Sequence, residues 1–122
     1  MNDNDLTRRI IACAIEVHKR LGAGLLESVY EAAMAIELGV AGFEFEQQVQ
    51  LAAKYRDHVL GYYRLDFVVE SRVVVEVKAV LRLDPVFESQ ILTYMRVAKL
   101  PIGLLINFNS VLLTEGVRRF VL

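Results

Sequence analysis

Arg64-Leu65-Asp66-Phe67-Val68-Val69-Glu70-Ser71-Arg72-Val73-Val74-Val75-Glu76-Val77-Lys78-Ala79 is the stretch that decides the fold. Two runs rich in β-branched and aromatic residues, Val59 to Val69 and Val73 to Ala79, are broken only by the polar Glu70-Ser71-Arg72. That pattern predicts a β-hairpin. Side chains alternate along a strand, so Glu76 and Lys78 are expected on one face and Val75, Val77 and Ala79 on the other. With Ser71 at the centre of the loop, antiparallel pairing sets Asp66 directly across from Glu76, and Val68 across from Val74. Two carboxylates and one ammonium then share a patch flanked by valines.

Moving toward the N-terminus, Val49, Leu51 and Ala53 alternate with polar neighbours, as in a half-buried strand. Leu6, Ile10, Ala14, Val17 and Leu21 recur every three or four residues, with Asp3, Asn4 and Asp5 as candidate N-caps and Gly22 and Gly24 as a stop. A second helix is expected from about Leu25 to Leu38, ended by Gly39. Moving the other way, Pro85 opens a third helix, from about Val86 to Lys99, and Pro101 ends it. Ile102 to Phe108 is almost wholly apolar, which predicts a strand buried on both faces. Val111 to Thr114 is expected to return the chain as a strand, and Val117 to Leu122 to form an edge strand. The result is an α/β (α+β) fold, a central mixed sheet flanked by helices. The step from the Lys78 strand through the third helix to the Ile102 strand makes those two strands parallel.

The 122 residues suit a single domain, 1–122. Hydrophobic residues make up 55% of the chain, enough for a core and a surplus that a second subunit could cover. A homodimer or other homo-oligomer is the default assembly. The 14 basic and 15 acidic residues leave a net charge of −1, which excludes a general polyanion binder. Contact with nucleic acid would have to use local clusters: Arg8 with Arg9, Lys19 with Arg20, Lys54 with Arg56 and Arg64, or Arg118 with Arg119. Cys13 is the only cysteine, so neither an intrachain disulfide nor a Cys-based zinc site can form. The polar N-terminus and the lack of a long apolar run predict a cytoplasmic protein with no membrane span.

Paired carboxylates on an apolar sheet repel one another, and a divalent cation would remove that cost. Hard cations such as Mg²⁺ and Mn²⁺ take oxygen ligands. Asp66, Glu76 and the carbonyl of Val77 would leave positions for water and a phosphate. Lys78 would then orient the attacking water or stabilise charge on the phosphate. Taken alone, Asp-x(n)-Glu-x-Lys is a short pattern, and an ordinary cross-strand ion pair accounts for it as well. Gln90 and Tyr94 lie four apart on one face of the third helix. Glu27 and Tyr30 follow Gly24 at intervals of three, with Glu27 in the first turn, where the helix dipole favours an anion. Helix-start stabilisation for Glu27 and core packing for the two tyrosines are the simpler readings of each residue by itself.

The run Gly24-Leu25-Leu26-Glu27-Ser28-Val29-Tyr30 resembles the GxxExxY motif that names a family of small proteins. The resemblance extends from about Ile11 to the end through Arg64-Leu65-Asp66, Val75-Glu76-Val77-Lys78-Ala79, Gln90-Ile91-Leu92-Thr93-Tyr94 and Gly103-Leu104-Leu105-Ile106-Asn107-Phe108. That family is similar to a branch of the PD-(D/E)xK nuclease superfamily and to the exonuclease domains of bacterial recombination helicase-nucleases. The resemblance implies a restriction-endonuclease-like core, a Mg²⁺ or Mn²⁺ cofactor and a nucleic-acid substrate, DNA ahead of RNA. It implies Glu27, directly or through water, with Asp66 and Glu76 as metal ligands, Lys78 as the catalytic lysine, and Gln90 and Tyr94 as residues that position the phosphate or the lysine. Two positions depart from the family pattern: Leu65 replaces the proline that usually precedes the aspartate, and Phe87 stands where a histidine is associated with the family. The alternatives are a catalytically inactive nuclease-fold module that binds nucleic acid or a protein partner, and an oligomeric scaffold in which the carboxylates do not converge.

Overall fold

The computed structural model describes all residues, 1–122. Helix α1 (Asp3–Leu21) and helix α2 (Glu27–Val40) precede three antiparallel strands, β1 (Phe45–Tyr55), β2 (His58–Val69) and β3 (Val73–Lys78). Helix α3 (Pro85–Ala98), strand β4 (Ile102–Asn107), a single 3₁₀ turn (Leu113–Gly116) and strand β5 (Val117–Val121) complete the chain. The five strands form one sheet in the order β1-β2-β3-β4-β5. β3 and β4 run parallel, as their link through a helix requires, and every other neighbouring pair is antiparallel.

The sheet is covered on both sides. Phe67, Val69, Val73, Val75, Val77, Ile102, Leu104 and Ile106 pack with α1 and α2 in the larger core cluster. Val68, Val74 and Leu105 pack with Ile91 and Met95 of α3 in the smaller one. Double coverage explains why β4 reads as a continuous apolar run: all six of its residues are buried. The hairpin register agrees with the sequence reading, with Val68 opposite Val74 and Val69 opposite Val73. Glu70 and Ser71 both take left-handed φ of 53° in the tight turn between the strands.

Several boundaries differ from expectation. The first helix is capped by Asn2, whose side chain accepts from Asp5 N–H at 2.8 Å, while Asp3 and Asp5 lie in its first turn. The second helix starts at Glu27 rather than Leu25 and runs through Gly39 to Val40, where Ala41 closes it through a bond to Glu37. The main correction falls on Val111 to Thr114, which forms no strand. Only Leu113 reaches the core from this segment, Val111 is 92% exposed, and the chain closes a 3₁₀ turn instead.

Candidate functional site

Glu76 and Asp66 meet where the β2–β3 ladder stops. The last backbone pair is Phe67 with Val75. One step further, carboxylates take the place of the missing ladder bonds: Asp66 N–H donates to Glu76 Oε1 at 3.1 Å, and Val77 N–H donates to Asp66 Oδ2 at 2.8 Å. Each acidic side chain thereby satisfies a backbone donor of the opposite strand, which lets two carboxyl groups remain in a largely buried place.

The strands turn over at the same point. Leu65 packs on the α3 side, as do Tyr63, Val49 and Leu51, whereas Phe67 and Phe45 pack on the α1–α2 side. Strict alternation therefore slips between Leu65 and Phe67 on β2, and across from it on β1. Gln48 sits at that slip, between the pairs Gln47–Phe67 and Val49–Leu65, with a left-handed φ of 53°. A non-glycine residue in that region marks local strain and is concentrated at functional sites. The Gln48 side chain donates through Nε2 to Glu31 Oε1, and its own Oε1 is buried with no partner.

Burial first, and then the charge of Asp66, push the Glu76 carboxyl up to about 9, with Lys78 acting in the opposite direction. Glu31 is raised by burial and by the charge of Asp66, with Glu27 adding to the effect. Burial raises Tyr94 as well, and the charges of Glu76 and Asp66 add to it. These mutual influences place Glu31, Asp66, Glu76, Lys78 and Tyr94 around one locus. Arg64 adds a positive charge there, since it lowers both Glu31 and Tyr94.

Lys78 is half-buried at the end of β3, with its Nζ 4.8 Å from the centre of the Phe87 ring. Phe87 thus holds the ammonium by a cation–π contact where the resemblance leads one to expect a histidine. Asn107 fixes the chain just beyond the lysine by pairing with both the N–H and the carbonyl of Val80, at 3.0 and 2.9 Å. Gln90 and Tyr94 line one shallow groove with Tyr63, whose ring lies 5.5 Å from that of Tyr94.

Glu27 is the outlying member of the expected set. It is exposed at the first position of α2 and approaches the locus by way of Glu31, one turn further along the helix. Tyr30 is wholly buried away from the carboxylates. Its ring stacks on Phe108 at 4.8 Å, and its hydroxyl donates to Gly22 O at 2.6 Å and accepts from Leu25 N–H at 3.1 Å. It clamps the loop in which Gly24 adopts a φ of 92°. His18 is also structurally occupied, with Nε2 2.8 Å from Ser110 O. Glu31 and Gln48 did not stand out in the sequence. The four-residue step from Glu27 to Glu31 on one helical face was the available signal for the first; none existed for the second.

No three His, Cys, Asp or Glu side chains are arranged as a ready-made metal cage. The donor chemistry nevertheless fits a hard divalent cation. Mg²⁺ keeps several waters and takes only one or two carboxylates, which Asp66 and Glu76 supply. The orphaned Gln48 Oε1 offers a further oxygen acceptor beside Glu31.

No helix is long and apolar enough to cross a membrane. No significant match is found among curated proteins or among solved structures. A sequence model of the PD-(D/E)XK nuclease superfamily matches residues 4–120, nearly the whole chain. Members of that superfamily generally use divalent metals and act on nucleic acid. With nearly its whole length covered by that match, the chain belongs to the PD-(D/E)XK nuclease superfamily.

Proposed function

We propose that this protein is a Mg²⁺- or Mn²⁺-dependent nuclease that hydrolyses phosphodiester bonds in DNA, within the GxxExxY branch of its superfamily and in the cytoplasm. The observation that carries this reading is the buried pair Asp66–Glu76, held by reciprocal bonds to opposite strands and followed on the same strand by Lys78. Asp66, Glu76 and the Val77 carbonyl would hold the cation, with Glu27 contributing directly or through water. The cation, when bound, supplies Lewis acidity at the phosphate and favours ionised carboxylates around it. Lys78 orients the attacking water and offsets charge growing on the phosphate oxygens. Gln90 and Tyr94 hold the phosphate from the α3 side, where their shared groove opens. Phe87 keeps the lysine from swinging away.

A catalytically inactive module that binds without cutting is the rival reading, and the Phe87 ring lying against Lys78 is the observation in its favour. The deciding experiment is cleavage of labelled single- and double-stranded DNA and RNA with Mn²⁺, beside Glu76→Ala and Lys78→Ala. The proposal expects metal-dependent cutting of DNA that both substitutions reduce by at least a hundredfold while the variants stay folded. Cutting by Glu76→Ala at the wild-type rate would overturn the residue assignment, and no cutting by folded wild-type protein would favour the rival.

A further inference from the structure

The distal part of the β1–β2 ribbon is unlike the rest of the sheet. From His58 to Leu65, β2 is paired with β1 alone, because its contact with β3 begins at the Asp66 bonds and its ladder with β3 at Phe67. A two-stranded ribbon is marginal in water by itself, yet this one exposes large apolar and aromatic side chains. Leu60 is 72% exposed and Tyr62 is 67% exposed. The ribbon from Val49 to Arg64 also carries three positive charges, Lys54, Arg56 and Arg64, against the single carboxylate of Asp57, in a chain whose net charge is −1.

The register arranges these residues in a line. Gln50 pairs with Arg64, Ala52 with Tyr62, and Lys54 with Val59 across the bulge. Those pairs share one face, opposite to the one on which Tyr63, Leu65, Val49 and Leu51 pack toward α3. Arg64, Tyr62 and Lys54 therefore form a cation–aromatic–cation stripe, and its inner end lies two residues from Asp66. Four residues along β1 at about 3.3 Å each make the stripe about 13 Å long.

We propose that this stripe is a binding track for single-stranded nucleic acid, with a base stacked on Tyr62 and flanking phosphates held by Arg64 and Lys54. An exposed aromatic face can stack only on a base freed from a duplex, and cations on either side track the backbone. The identity of the ligand rests on the nuclease reading. The track itself rests on the geometry and charge of the ribbon.

The test is fluorescence anisotropy of a labelled dT oligonucleotide and of a matched duplex, in chelator so that nothing is cut, with wild type, Tyr62→Ala and Lys54→Glu. Turnover of a small phosphodiester, bis(p-nitrophenyl) phosphate, with Mn²⁺ is measured on the same proteins, and mass by light scattering. The expected result is tighter binding of the single strand than of the duplex, weakened about tenfold by Tyr62→Ala and with a shallower salt dependence in Lys54→Glu. Small-substrate turnover is expected to remain as in wild type. Unchanged binding in both variants, or equal binding of duplex and single strand, would overturn the track. A wild-type dimer that these substitutions convert to monomer would give the ribbon to a second copy of the chain and also overturn it. Ribbon-dependent binding without turnover of any substrate would uphold the track and count against the nuclease activity instead.

Discussion

Replacing Glu76 with glutamine should stabilise the metal-free protein at neutral pH. Glu76 is 5% exposed, and burial with the nearby charge of Asp66 pushes its carboxyl from 4.5 to about 9. A group with a raised folded pKa keeps its proton while the unfolded chain gives it up. Its stabilising effect is full below about 4.5 and is lost progressively as pH rises through about 9. At pH 7 the loss is bounded at roughly 3 kcal/mol, taking about 1.36 kcal/mol per pH unit above the unfolded value. Glutamine is an isostere of the protonated form: its oxygen can still accept from Asp66 N–H and its amide can donate to the Asp66 carboxylate. It carries no charge to gain on unfolding. With about 3–5 °C per kcal/mol for a chain of this size, Glu76→Gln should melt several degrees above wild type at pH 7 in chelator. The gap should vanish near pH 4.5 and widen toward pH 8. Thermal melts by circular dichroism across that range measure it directly. Mn²⁺ at about a thousand times its Kd should reverse the order at pH 7, since it adds about 4.1 kcal/mol to wild type alone. Equal melting temperatures at pH 8 in chelator, or a gap that does not change with pH, would refute the reasoning.

Two further substitutions separate structural from functional residues. Tyr30→Phe deletes the hydroxyl that bridges Gly22 and Leu25, and should cost about 1–2 kcal/mol in a denaturant titration while Mn²⁺ affinity stays within twofold. A large loss of metal affinity would show that the tyrosine does more than hold the loop. Gly103→Ala would bring a Cβ to 2.6 Å from Met95 Sδ, where β4 passes beneath α3. The overpacking should lower stability by about 1–3 kcal/mol, and a wild-type melting temperature would show that Met95 moves aside freely.

The hairpin and the parallel β3–β4 pair were legible because burial on both faces demands β-branched and apolar side chains almost without interruption. The same logic misplaced Val111 to Thr114. Val111-Leu112-Leu113 has a strand's composition, but Ser110 Oγ donates to Asn107 O at 3.0 Å and Gly116 packs tightly against the same carbonyl, which drives the chain into a turn. β1 begins at Phe45, ahead of the alternating Val49, Leu51 and Ala53, and its polar Glu46, Gln47 and Gln48 hide the pattern over that first part.

The apposition of Asp66 and Glu76 was readable from two-residue periodicity and the position of the loop. How they are held was not. The left-handed Gln48 and the slip beside Asp66 arise from the meeting of two strands, a long-range property that no local pattern encodes. Glu31 was within reach of helical periodicity, one turn beyond Glu27 on the same helical face.

The most direct test of the central idea is calorimetric titration of the metal-free protein with Mn²⁺ at pH 7, repeated in two buffers of different ionisation enthalpy. The account predicts saturable binding in wild type, release of close to one proton as the cation displaces it from Glu76, and loss of binding in Asp66→Asn. Folded wild-type protein that gives no saturable heat, or binding that survives in Asp66→Asn unchanged, would contradict the claim that the buried carboxylate pair is a metal site.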